Sequence, residues 1–369
     1  MLNFFKSLFN LTLLVLIISC SSDDTVSNDN LLDGGNDAED PIEVSDANDD
    51  GSDANDDIDE PVDDPDTNDN NEEGDSFISV WELSDENKTI VLPIYDGVNT
   101  AYDFTIDWGD GTTASVTSFD DVDKSHTYSD VGEKTVIITG SITGFNFFNV
   151  DDSSGLLKSI TAWGDLHFGF DGGVFRDCVN LSTLPDNSPN LDGITEITFY
   201  FFKCESFVGP VKNWDVANIT SFKHAFAEAT IFDEDISLWN VSNANSLVSM
   251  FSQASSFNQD ISKWDVSNVL DFSGMFASAT LFNKNISSWK VGKATVMSSM
   301  FSGANSFNQN ISGWDVSNVT NMTSMFRGNL AFDQDISEWD TSNVTRCLNF
   351  AASGAILALE NLPTKGDCL

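Results

Sequence analysis

The chain has 369 residues, enough for more than one compact unit at roughly 100 to 200 residues each. Sixteen Lys and Arg stand against 59 Asp and Glu, a formal charge of −43, and that field repels phosphate backbones and excludes nucleic acid as a partner. Hydrophobic residues make up 40%, with 29 Phe and 9 Trp, so a substantial core can form and the charge must be concentrated outside it.

In chain order, Lys6 and the apolar run Leu8 to Ile18 come first. The run is short of the about 20 residues of a spanning helix and reads as an export signal over residues 1–19. It ends Leu16-Ile17-Ile18-Ser19-Cys20, which resembles the bacterial lipobox. That resemblance implies cleavage before Cys20, lipidation of Cys20, and the membrane as a partner through the lipid anchor. Ser21-Ser22-Asp23-Asp24 resembles the acidic tag of Bacteroidetes-type lipoproteins, which implies the outer membrane and display toward the exterior.

Residues 20–75 follow as an anchored tether. From Asp23 to Asp75 there are 23 Asp and Glu and no Lys or Arg, with no periodic apolar face, so the segment cannot bury enough surface to fold. Self-repulsion extends it toward a stretched limit of roughly 180 Å. Asp46 to Gly51, with Asp57 eleven positions after Asp46, partly fits the spacing of a calcium loop. The Asp where a bidentate Glu belongs and the absence of flanking helices favour chance spacing in an Asp-rich tract.

Residues 76–145 carry short β-prone runs, Ile78 to Trp81, Thr89 to Ile94, Tyr102 to Trp108 and Thr135 to Thr139, separated by turn residues; this predicts a β-sandwich. The turn Asp107-Trp108-Gly109-Asp110-Gly111-Thr112, with His126-Thr127-Tyr128 and Val131-Gly132, resembles a polycystic-kidney-disease (PKD) type domain. Gly109 and Gly111 suit positive φ in a tight turn, and Tyr128 can pack on the sheet with its hydroxyl on a backbone acceptor. Asp107 and Asp110 fit a turn better than a cation site, and no metal is assigned.

Tryptophans then recur at Trp214, Trp239, Trp264, Trp289, Trp314 and Trp339, five successive intervals of 25 residues. In the same register run the columns Met250, Met275, Met300, Met325; Phe232, Phe257, Phe282, Phe307, Phe332; and Ile236, Ile261, Ile286, Ile311, Ile336. A fixed period with fixed apolar columns predicts a solenoid whose coils bury their faces against one another. Two diverged copies, Phe175 to Leu181 and Phe201 to Phe207, place Cys178 and Cys204 in the column of Ala254, so the array spans 156–350 and residues 351–369 read as a terminal cap. The early copies resemble the leucine-rich repeats of BspA-like bacterial surface proteins, and the Trp-Asp-Val-Ser-Asn-Val-Thr units resemble a 25-residue variant of that family. The expected fold class is therefore mainly β: a PKD-like sandwich, then a leucine-rich-repeat-like solenoid. Each unit is expected to hold a short strand at Phe-x-x-x-Ile, a second strand or turn at Val-Thr-x-Met, and a helical turn at Ser-Met-Phe-x-x-Ala.

Stacking at roughly 4.8 Å puts like side chains over like. The column Asp235, Asp260, Asn285, Asn310, Asp335 mixes acid and amide, which relieves repulsion and lets Asn bond along the stack. Asn218, Asn243, Asn268, Asn318 and Asn343 suit satisfaction of turn backbone, while Lys290 and Lys293 break the Asp/Asn register. The Trp ladder has two readings, packing at the solenoid edge or a platform for sugar rings. Cys178 and Cys204 can bridge or remain buried thiols, and Cys347 and Cys368 can tie down the end.

His126, His167 and His224 are scattered over different units, and no HExxH, CxxC, phosphate-loop or dinucleotide motif occurs. No catalysis and no cofactor are expected. The family resemblance implies a surface adhesion or interaction module whose partners are host or neighbouring-cell surface proteins, matrix or glycans. The alternatives are a glycan-capture protein using exposed Trp and a structural cell-surface protein.

Overall fold

The computed structural model describes residues 76–366 apart from 98, 150–152 and 171. These lie within one compact unit, residues 68–369. The export signal, Cys20, the acidic tether, the Asp46–Asp57 spacing and Cys368 lie outside the described residues. The chain is mainly β, and helix is confined to 3₁₀ turns.

Eight strands form at the N-terminal end: β1 (Ser76–Leu83), β2 (Thr89–Val91), β3 (Ala101–Asp107), β4 (Thr113–Val116), β5 (Ser125–Thr127), β6 (Gly132–Thr143), β7 (Leu157–Ala162) and β8 (Leu166–His167). The main sheet runs β4-β3-β6-β1-β7, antiparallel throughout that path, with β8 parallel on β6; β2 and β5 make a separate antiparallel pair. Alternation sets the faces. In β3, Tyr102, Phe104 and Ile106 are buried while Asp103, Thr105 and Asp107 are exposed, as expected of a strand with one wet face.

Beyond the sheet, 25-residue coils are linked by single parallel bridges, Glu196↔Ser221↔Ser246↔Asp271↔Val296↔Asn321↔Arg346. The expected strand pairs and helical turns do not form. Alternate N–H groups instead leave the coil: Phe272, Gly274, Phe276 and Ser278 donate to the carbonyls of Val296, Ser298, Met300 and Ser302 at 2.7–3.0 Å, while Met275, Ala277 and Ala279 close turns onto residues three back. The device that alternates the peptides is a left-handed residue twice per coil, as at Ser299 (φ 55°) and Gly303 (φ 66°). A helix would turn every N–H inward and leave nothing to hold the next coil.

The columns pack as continuous stacks. Phe251 and Phe257 lie 3.8 Å apart and 5° from parallel within one coil, and Phe251, Phe276 and Phe301 follow at 5.8 Å between coils. The sheet and the coils share one buried core from Phe77 to Phe350. The end of β6 and the turn after it cover the first coil, with Phe145 and Phe147 N–H donating to Phe168 and Val174 carbonyls, while β7 pairs both with β1 and, through Ser159↔Thr183, with the next coil. At the far end polar residues enter apolar columns. Thr341 takes the place of Val316 and bonds the Lys365 carbonyl, and Ile336 N–H donates to Asn361 O at 3.0 Å.

Candidate interaction surface

All six ladder tryptophans are buried, between 1% and 4% exposed. From Trp239 onward each indole N–H donates to a carbonyl 28 residues earlier, Val211, Ile236, Ile261, Ile286 and Ile311, at 2.8–3.2 Å. Trp289, Trp314 and Trp339 lie parallel at 6.4 Å. No indole face is open to a sugar ring. Trp214 Nε1, at the start of the ladder, has no hydrogen-bond partner among the described residues.

The exposed columns are polar and held by their own bonds. In the column beginning at Asp235 each side chain accepts from the N–H two residues on, as Asp260 does from Ser262, so these side chains brace their own coil, and Asp235 also meets Lys212 of the preceding coil at 2.6 Å. The bonds along the stack come from a neighbouring column: Asp233, Asn258, Asn283 and Asn308 accept from the N–H of Asn258, Asn283, Asn308 and Asp333 at 2.7–3.1 Å. Asn243, Asn268, Asn318 and Asn343 donate Nδ2 to carbonyls of the preceding coil. Lys293, in that same column, reaches Asn268 Oδ1 at 2.6 Å.

In the sheet domain, Gly109 (φ 75°) and Gly111 (φ 89°) turn the β3–β4 hairpin. Asp107 accepts from Gly109 N–H, and Asp110 accepts from Thr112 and meets His126 Nε2 at 2.7 Å. These bonds to Thr112 and then His126 pull the Asp110 carboxyl down to about 2. Both carboxylates are thus engaged by the turn, and no group of three potential metal ligands occurs among the described residues. His126 stacks on Trp108 and meets Tyr128 edge-on, while Tyr128 OH donates to Trp108 O at 2.8 Å.

A concave site lies where the sheet domain meets the first coils. It is a cleft of about 370 Å³ between the Tyr95–Asp96 loop, Asn146 and Phe148 after β6, and Gly172 with Glu196 to Phe199 on the coils. Asn146 is buried and fastens the walls, donating Nδ2 to Gly172 O and accepting from Phe148 N–H, both at 2.6 Å. Beside the cleft runs a ridge in which the Arg176 guanidinium lies 4.8 Å from Phe148, 5.5 Å from Phe199 and 5.4 Å from Phe202, and Asp177 accepts from Arg176 Nε at 3.1 Å. His224 stacks on Phe199 at 4.6 Å and 3°; its burial, with Lys223 beside it, lowers its pKa. Reading the sequence in columns does not find this site, because Phe148 is contributed by the sheet domain. The available signal was local: aromatic Phe199 and imidazole His224 in a column that later holds Ser249, Gly274, Ser299 and Ser324.

Cys178 and Cys204 are free and fully buried, and Cys204 Sγ donates to Phe175 O at 3.0 Å. Burial raises both thiol pKa values well above the ordinary range. Cys347 is disulfide-bonded. Among the described residues no helix is long and apolar enough to cross a membrane.

The described fold is that of a mainly-β protein built on a 25-residue repeat. Its repeat region is similar to a family described as Mycoplasma protein of unknown function, DUF285, which matches residues 173–280, 195–305 and 279–355, together just under half of the chain. No curated protein and no solved structure matches the chain.

Proposed function

We propose that this protein is a bacterial surface lipoprotein, lipidated at Cys20 and lifted from the outer membrane by its acidic segment, whose PKD-like domain and repeat solenoid form an adhesion or interaction module without catalysis. The observation that carries the reading is the division of labour in the coils. Tryptophan, phenylalanine and methionine columns are spent inside, polar columns are fixed outside by coil-to-coil bonds, and a cleft with an aromatic and cationic ridge stands at the head of the stack. A rigid repetitive face adds many weak contacts, and several anchored copies gain avidity. The partners that fit are proteins, matrix or glycans of a neighbouring cell. The buried indoles remove the support for sugar capture on Trp platforms.

The test is protease shaving of intact cells, followed by binding of the purified full chain to immobilised host-cell surface and matrix proteins. Release of the protein by the protease, and retention on at least one of those surfaces, is the expected result. Protection from the protease, or no retention on any surface, refutes the proposal.

A further inference from the structure

The cleft at the head of the stack is built from residues that the following coils do not carry. Gly172 and Gly173 stand where the next coils have Thr198-Phe199 and Lys223-His224. A Cβ on Gly172 would lie 2.3 Å from Thr198 O, and one on Gly173 2.9 Å from a Phe148 ring carbon. The glycine pair therefore lets Phe148 settle close to the coil and leaves Gly172 lining the hollow.

Phe199 is the second anomaly. Its φ is 59°, a left-handed conformation that strains a bulky side chain. The later coils meet the same backbone demand with Ser249, Gly274, Ser299 and Ser324. The strain puts an aromatic ring on the cleft wall, where a serine would satisfy the fold. Rings lining such a hollow attract cations through their quadrupoles, and the Arg176 guanidinium on the ridge already rests against Phe148 and Phe199.

The third feature is charge. Asp96 and Glu196 line the cleft and are exposed, and neither forms an ion pair among the described residues. Among the described residues the Glu196 carboxylate accepts only from Thr198 Oγ1, at 3.3 Å. Arg176 and Lys203 are turned to Asp177, and Lys223 does not line the cleft. Two uncompensated carboxylates beside aromatic walls are complementary to a compact cation carried on an apolar stem.

We propose that this cleft binds a basic side chain, lysine or arginine, presented by a partner protein. The stem lies along Phe148 and Phe199, and the charged head meets Asp96 and Glu196. The proposal rests on the reading of the protein as an interaction module and names the chemistry of one contact. It fails on its own if the full chain adheres to cells or matrix while the cleft ignores cations.

The experiment is saturation-transfer NMR on the full chain with three probes: Nα-acetyl-lysine N-methylamide, its uncharged norleucine counterpart, and methyl α-glucoside. The expected result is transfer to the lysine side-chain methylenes and little to the other two. Asp96→Asn with Glu196→Gln should weaken lysine binding, each partly exposed charge being worth about fivefold, and Phe199→Ser, which installs the residue of the later coils, should weaken it independently. The single Asp96→Asn change, on an exposed loop, gives a reading that loss of folding cannot mimic. Equal transfer to norleucine, transfer to the glucoside alone, or lysine transfer unchanged in the variants would overturn the proposal; the last outcome assigns the signal to the acidic N-terminal segment.

Discussion

Replacing a ladder tryptophan by phenylalanine separates the hydrogen bond from the packing. Trp214 and Trp289 are equally buried, each 3% exposed, so both lose a similar apolar surface, worth about 1 kcal/mol at roughly 25 cal/mol per Å². They differ in the indole N–H. Trp289 Nε1 donates to Ile261 O at 3.1 Å, and that carbonyl keeps the Trp264 N–H when the indole is gone, so Trp289→Phe loses one buried hydrogen bond, a further about 0.5–1.5 kcal/mol. Trp214 Nε1 has no such partner among the described residues, so Trp214→Phe removes an unsatisfied donor and recovers part of its packing loss. Urea unfolding followed by circular dichroism should show the midpoint of Trp289→Phe falling clearly below that of Trp214→Phe at similar slope. Equal midpoints would refute the assignment of the ladder's stability to indole–carbonyl bonds between coils.

Other changes probe the coil backbone, the stack end, the carboxylates and the thiols. Ser299→Gly relieves a left-handed serine and should raise stability by about 0.5–1 kcal/mol, whereas Gly303→Val, at φ 66° and with Ser278 Oγ 3.2 Å from its Cβ, should lower the unfolding midpoint. Asn329 is fully buried where earlier coils have alanine, and its Oδ1 accepts from the N–H of Ala331 and Phe332 at 2.9 Å; Asn329→Ala should cost about 1–3 kcal/mol by thermal melting. Asp110 and Asp235 are both held at about 2, the first by Thr112 then His126, the second by Lys212 then Ser237. Their folded pKa values lie below the unfolded value of about 3.9, so their contribution is present above about pH 4 and is lost as pH falls toward 2. Asp110→Asn should therefore narrow the stability difference between pH 6 and pH 2.5, and an unchanged difference contradicts the assignment. Cys178 and Cys204 should resist a thiol reagent in the native protein and react in urea; rapid native labelling would contradict their burial.

The periodicity was readable in the sequence because stacking obliges every coil to bring the same side chain to the same place. The Trp, Phe, Met and Ile columns, the diverged copies with Cys178 and Cys204, and the strands around Ile78, Ile90, Phe104 and Ile138 follow from local spacing alone. The conformation within a coil did not follow, since Ser-Met-Phe-x-x-Ala reads as helical by period, and only the left-handed residues at Ser299 and its equivalents turn alternate peptides toward the next coil. The pattern of columns also left open which way each faced. The carbonyls of Ile236 and Ile261 take the indole N–H groups inward, and which Asn or Asp column bonds along the stack depends on coil twist, not on composition.

The period, the polarity of each column and the acidic character of residues 23–75 are properties of neighbours along the chain, and the sequence alone determined them. The cleft belongs to the tertiary structure, because its walls come from the loop at Asp96, the turn at Phe148 and the coil at Phe199. Residues so far apart meet only because β1 pairs with both β6 and β7 and the first coil closes against them, and no local preference in the chain encodes that meeting.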